Sequence, residues 1–513
     1  MADLTREVVD VVVVGAGHNG LVAAALLADA GLDVLVLEQQ PEPGGSVRTA
    51  ELFPGYRCDL FSAIHPLGFV APALRALGLT DHGLRWTHPP TVLAAARSAH
   101  DTVALYPDPQ ETADALGQRH RSDAQAWLEL CAQWRRLRDP LLAAFLGPFP
   151  PVGAALRLAR ALGAAELLRF VRFLTLPADA MARELFAGEH ARMLLLGNCM
   201  HGDVPVNAPV SGFAGYLLTM LAQDTGFPAP AGGAGALTAA LVSRGAAAGA
   251  QLRTGVEVTG LQVRHGKVVG VHTAGGAKIG VRRAVVADVS ASALYTRLLP
   301  PDAVPSRLRA DLARYQPDNA VVKVNYAVSE PIPWISTDLR GAGTVHLGAD
   351  ERTLPYWNAD LATGVPPERP FVLLGQMTAI DPSRSPAGTE SAWAYTLMPQ
   401  GRTDDGTAEL IAERMDDVVE EHAPGFTRLL RGRNLQRPSD LSAANANLAD
   451  GRIGGTMSLH QELVFRPTPA LAGPDTPLPN LFLGSAAIHP GGAVHGACGA
   501  AAARAALRGT TVS

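Results

Sequence analysis

The stretch Val8-Val9-Asp10-Val11-Val12-Val13-Val14-Gly15-Ala16-Gly17-His18-Asn19-Gly20 decides how the rest of the chain is read. Val11 to Val14 form an unbroken β-branched run, the pattern of a parallel strand covered on both faces. The run ends on Gly15-x-Gly17-x-x-Gly20. Gly15 permits the tight turn, Gly17 lets a pyrophosphate approach the backbone, and Gly20 allows the next helix to pack on the strand. That helix, opening near His18 and Asn19, points its N-terminus at the phosphates. Its apolar series Leu21, Ala24, Ala25, Leu27, Ala28 runs to Gly31, a C-terminal stop. A second strand over 33–37 then delivers Glu38, about 20 residues past the glycines, where a carboxylate accepts ribose hydroxyls. Strand, glycine turn, helix, strand and acid together predict a dinucleotide site.

The whole chain bounds what such a site serves. At 513 residues it predicts two domains or more, and 47% hydrophobic with 18% charged residues suits a globular protein with a large interior. A formal charge of −5, with no dense Lys/Arg cluster, argues against a nucleic-acid partner. Cys58, Cys131, Cys199 and Cys498 are scattered singly, which argues against a disulfide framework, a cysteine metal centre and Cys-x-x-Cys redox chemistry. The first residues lack the basic and apolar regions of a leader, and no apolar run reaches the roughly 20 residues that span a bilayer. A cytoplasmic location is the expectation.

Glu38 is followed by Gly44-Gly45, Arg48, Thr49 and then Gly55-x3-Asp59. The Gly-Gly pair brings backbone N–H groups against a diphosphate from its other side, and Arg48 adds positive charge. Together these elements resemble the extended FAD fingerprint of the glutathione-reductase-type flavoproteins, which include amine oxidases, phytoene desaturases and Rab-escort/GDI proteins. Leu60-Phe61 departs from that pattern, because relatives often place a glycine there. Near the far end a strand reaches Gly484, and His489-Pro490-Gly491-Gly492-Ala493-Val494-His495-Gly496 opens an Ala-rich helix to Leu507. This motif resembles the C-terminal flavin motif of phytoene desaturase-like proteins, in which a helix N-terminus holds the pyrimidine edge of the flavin.

The resemblance implies FAD as cofactor, held by Gly15, Gly17, His18, Asn19, Gly20, Glu38, Gly44, Gly45, Arg48, Gly484, Gly491, Gly492, Ala493 and Val494. Val258 matches the position that contacts adenine in the family. The implied fold is α/β: a Rossmann-like FAD-binding domain of the glutathione-reductase type, discontinuous over 1–71, 231–299 and 456–513. A helical cap and first part of a substrate domain occupy 72–230, where Leu, Ala and Arg predict helices. An α+β second part, with an antiparallel sheet, fills 300–455.

For chemistry, a flavin takes a hydride at N5 while the protein binds, orients and excludes water. His489, His495 and His65 are candidate catalytic groups for the partner proton, each with an open reading as a packing histidine. No metal centre is expected. An amine substrate calls for aromatic rings near the last motif, yet no Trp or Tyr follows Tyr395. Aliphatic side chains dominate the cap, which favours an apolar, lipid-like small molecule: a polyene, isoprenoid or acyl substrate. Two alternatives stand beside this: a flavin amine oxidase, and a non-catalytic prenyl-binding protein of the GDI type, which does not need an intact diphosphate loop. Residues 141–176 mix Leu156, Leu168 and Val171 with Arg157, Arg160, Arg169 and Arg172, a basic amphipathic texture that suits contact with an anionic membrane or a cap with solvated arginines.

Overall fold

The computed structural model describes residues 7–453, 465–469 and 473–510. Strand β1 (Val8–Val14), helix α1 (His18–Asp29) and strand β2 (Val34–Leu37) form the expected opening unit. Around it a parallel sheet runs in the order Gln251–Arg253, β2, β1, Lys278–Ala287, Leu481–Leu483. The hairpin Val258–Arg264 and Lys267–Thr273 adds to it antiparallel, against the first half of Lys278–Ala287. The apolar run of β1 has a direct cause in this setting. Val11 and Val13 face the helices with Ala24 and Leu27, while Val12 and Val14 face an opposite core with Leu261 and Val285. Past the end of α1, Gly31 at φ 80° donates to Ala28 O and Leu32 donates to Leu27 O, the paired bonds of a Schellman stop.

A second sheet has the order Leu430–Gln436, Val321–Val328, Glu390–Leu397, Val372–Gln376, Ala342–Leu347, Thr91–Ser98, Asp101–Leu105. All its neighbours are antiparallel except Thr91–Ser98, which lies parallel to Ala342–Leu347. The last two strands correct the expectation of helices throughout 72–230. Ala94-Ala95-Ala96 favours a helix in isolation, but this strand is buried on both faces, Leu93 and Ala95 in one core and Ala94 and Ala96 in the other. Of the helices of that region, Pro109–Arg119, Glu189–Cys199 and Ser211–Thr225 lie on the sheet, and others pack on helices, as Arg121–Leu146 does on Pro109–Arg119.

One buried cluster joins the two bodies. The hairpin Thr49–Phe53 and Tyr56–Asp59 presents Asp59, whose carboxylate pairs with Arg384 at 2.8 Å, both side chains 0% exposed. Thr49 Oγ1 and the Ala234 N–H donate to the same carboxylate, and Lys323 Nζ donates to the Asp59 carbonyl. Leu60-Phe61 is accommodated without a glycine: Leu60 donates to Arg48 O, and the Arg48 guanidinium lies 5.2 Å over the Phe61 ring.

Candidate flavin site

Gly15 turns at φ 95° and donates to Leu37 O, closing β1 onto β2. A Cβ on Gly17 would stand 2.6 Å from Asp288 Oδ2, and one on Gly20 would stand 2.2 Å from Gly15 O. The loop is therefore passable only to a bare backbone. Gly44 folds directly over it, donating to Ala16 O and bridging Gly17, with φ 117° at Gly44 and 55° at Gly45. Arg48 ties this second glycine element down by donating to Gly45 O and Ala444 O.

Two acids frame the loop. Glu38 is buried and accepts from Ala16 N–H at 2.7 Å and Gln40 N–H at 2.9 Å, which leaves carboxylate lone pairs for hydroxyl donors. Asp288, at the end of Lys278–Ala287, accepts from Gly20 N–H at 2.8 Å. Burial pushes its carboxyl up to about 7; the Gly20 bond opposes the rise and Glu38 adds to it. Asn447 holds this corner through the Asp288 carbonyl and the Ser290 N–H. Val258 is buried in the core and pairs with Thr273, whereas Val256 donates to Glu38 O.

The C-terminal motif packs against α1. Gly484 donates to Ala287 O, continuing the parallel register, and Gly491 takes φ 104°. Gly492 O accepts from His495, Ala493 holds φ 83° without being glycine, and Val494 is buried. Gly499, on the helix Ala497–Thr510, meets α1 so closely that a Cβ would lie 1.9 Å from Asn19 O. Asn19 Oδ1 also accepts from Gly499 N–H. The thiol of Cys498 is fully buried, and burial pushes it up to about 12, so it stays protonated.

The structure gathers the candidate histidines with His18. His18 feels both His495 and His65, and His495 feels His489. Burial lowers His18 to about 3 and His65 and His495 to about 4, so all three are neutral near pH 7. His495 is engaged at both nitrogens: Nδ1 accepts from Ala497 N–H, so Nε2 donates to Gly492 O, bracing the turn. His65 Nε2 pairs with Ser62 Oγ. Among the described residues neither ring nitrogen of His489 makes a hydrogen bond of ordinary geometry, although the Phe145 backbone favours its charged form, and the Phe149 and Phe145 rings lie 5.3 and 6.4 Å from it. Arg466 is buried against Gly491 and donates to Ala486 O.

These residues fit FAD. The crook at Gly17 and Gly20 is one that a Cβ would fill, and His18 Nε2 and His65 Nδ1 are buried without a hydrogen-bond partner among the described residues. Arg466, Asn447, Lys323 and Arg384 are additions to the residues read from sequence, whereas Asp59 stood in the Gly55-x3-Asp59 element and Asp288 at the end of a strand. Asp288 had a signal, since it ends a buried parallel strand where such sheets bind ligands. Lys323 had one too, as the lone charge in Val321-Val322-Lys323-Val324.

Residues 20–507 match the model of the family described as flavin containing amine oxidoreductase. Pyridine nucleotide-disulfide oxidoreductase domain-containing protein 2 of Rattus norvegicus is 28% identical, over 97% of this chain and 93% of that protein. A component of the limonene dehydrogenase of Castellaniella defragrans is 30% identical over 52% of this chain and 48% of its own. Lycopene-forming phytoene desaturase of Pseudescherichia vulneris is 24% identical over 97% and 98%. Among solved structures, an oxidoreductase from Methanosarcina mazei shares the fold at TM-score 0.63 and 15% identity, covering 97% of this chain and 100% of that one.

Proposed function

Since the chain belongs to the flavin containing amine oxidoreductase family, and is a phytoene desaturase-like member of it, we propose that this FAD-dependent oxidoreductase moves hydride at a carbon–carbon bond of an apolar polyene, isoprenoid or acyl substrate. FAD, when bound, supplies the hydride carrier at N5. The observation that carries the substrate reading is the carbon wall at His489. Phe149 and Phe145 flank the imidazole, and Phe145 packs on Phe213 at 5.6 Å. Such a wall desolvates a hydrocarbon favourably; because phenylalanine rings can also face an ammonium, the choice against an amine rests on the relatives and on the bleaching test. Two relatives, one named for a limonene dehydrogenase and one for a phytoene desaturase, support the same class.

Each group then has a task. The backbone at Gly15 to Gly20 and at Gly44-Gly45 takes the diphosphate, and Glu38 accepts ribose hydroxyls. His495 holds the Gly492 turn in place, and buried Arg466 puts positive charge beside it. His489, lowered by burial and so neutral, takes up or returns at a ring nitrogen the proton that accompanies the hydride. The aromatic wall keeps water from that exchange.

The test is anaerobic bleaching of the bound flavin by polyene, isoprenoid and acyl candidates set against primary and secondary amines. Bleaching by members of the first group is expected. Bleaching by amines alone would overturn the substrate reading in favour of an amine oxidase.

A further inference from the structure

We propose that the helices Val152–Leu162 and Ala164–Leu174 form a docking surface for an anionic lipid bilayer, on which the protein lies peripherally. Both helices carry one pattern, Leu156-Arg157-Leu158-Ala159-Arg160 and Leu168-Arg169-Phe170-Val171-Arg172. In each, the third residue is buried, Leu158 at 9% and Phe170 at 4% exposure, while the first stands out, Leu156 at 50% and Leu168 at 72%. Two residues correspond to about 200° of rotation, so each helix rests on the protein by one stripe and turns a leucine away on the other. Val152 at 61% and Val171 at 48% lengthen the outward stripes. Of the eleven large apolar side chains exposed among the described residues, four fall in these two helices. Single exposed apolar residues are ordinary, but a concentration of them marks a contact surface.

Charge selects the occupant. Arg157, Arg160, Arg169 and Arg172 are all exposed beside the apolar stripes. Arg169 pairs with Glu166 and Arg172 with Glu184, while Arg157 and Arg160 have no carboxylate partner among the described residues. Apolar side chains flanked by unneutralised arginines suit the boundary between acyl chains and anionic headgroups. A second copy fits less well, because a two-fold contact would set arginine against arginine. Among the described residues no helix is long and apolar enough to cross a membrane, so contact is made from one side. The surface is joined in the chain to the candidate site. Phe149, in the turn leading into the first helix, is one of the rings that touch His489.

Flotation of the FAD-loaded protein with vesicles tests this without reference to substrate. Vesicles of phosphatidylglycerol and phosphatidylcholine in equal parts are expected to carry the protein at low salt and to release it at high salt, and phosphatidylcholine alone is not expected to carry it. Leu156→Ser with Leu168→Ser should abolish binding. Arg157→Gln with Arg160→Gln should weaken it about five-fold per arginine. Flavin content and circular dichroism report that each variant is folded, as expected for exposed positions. No flotation of the parent protein, or flotation unchanged in both variants, overturns the proposal. A dimer dissociated by the leucine pair would assign the face to a second copy and overturn it too. Failure of the hydrocarbon substrate reading would leave these outcomes untouched.

Discussion

Gly17 and Asp288 meet so closely that the glycine loop tolerates no side chain, with 2.6 Å between a Gly17 Cβ and the carboxylate oxygen. Gly17→Val is therefore expected to yield protein without FAD, read as the flavin-to-protein ratio after purification. Full flavin occupancy in that variant would show that the loop has another task. Asp288 itself carries a pH signature. Its carboxyl is raised to about 7 in the fold, mainly by burial, whereas an unfolded Asp titrates near 4. The folded state thus keeps a proton that the unfolded chain has released. Its contribution to stability is complete below about pH 4 and is lost as pH rises through about 7. Asp288→Asn retains an acceptor for Gly20 and carries no charge. Its stability advantage over the parent should grow by up to about 1.4 kcal/mol per pH unit across that window, measured by urea unfolding of the FAD-free protein. A flat difference would place the charge in solvent.

At the level of elements, α1 and the helix Ala497–Thr510 act as one block. Gly499 allows the contact, since a Cβ would sit 1.9 Å from Asn19 O, and Asn19 Oδ1 accepts from Gly499 in return. Gly499→Leu must push the two helices apart, at about 1–3 kcal/mol in stability. Because the glycine loop and the Gly491-Gly492 turn open these same helices, FAD affinity should fall as well, read by fluorescence titration. Lost stability with unchanged FAD affinity would show that the turns are positioned independently. The strand Thr91–Ser98 illustrates the opposite dependence. Its alanines fit between two cores, and pairing with Ala342–Leu347 overrides their helical preference.

Over the whole molecule, the joint between the sheets is the buried Asp59–Arg384 pair with Lys323 beside it. Such a pair is costly to break from one side, because the remaining charge has no solvent. Arg384→Met should cost about 3–5 kcal/mol in chemical denaturation, and adding Asp59→Leu should recover much of it. A double variant no better than the single would point to the Thr49 and Ala234 bonds as the main contribution. Burial of Lys323 lowers its amine to about 8, with Asp59 opposing the shift, so this joint also holds a cation near its neutral point.

The sequence by itself determined the opening β-α-β unit and the C-terminal glycine motif, and through their resemblance to a known family implied the cofactor; the two motifs share one physical basis. Each of these is written in consecutive residues: a doubly buried strand, a turn only glycine can make, a helix stop at Gly31. Neighbours along the chain settle such features before any distant contact forms. The tertiary structure alone decided that alanines 94–96 form a strand, that Asp288 stands at Gly20, and that Arg384 answers Asp59. It also brought the rings of Phe145 and Phe149 to His489. Those outcomes depend on residues hundreds of positions apart, whose burial and pairing exist only once the two sheets have closed on each other, and no local pattern encodes a desolvated charge.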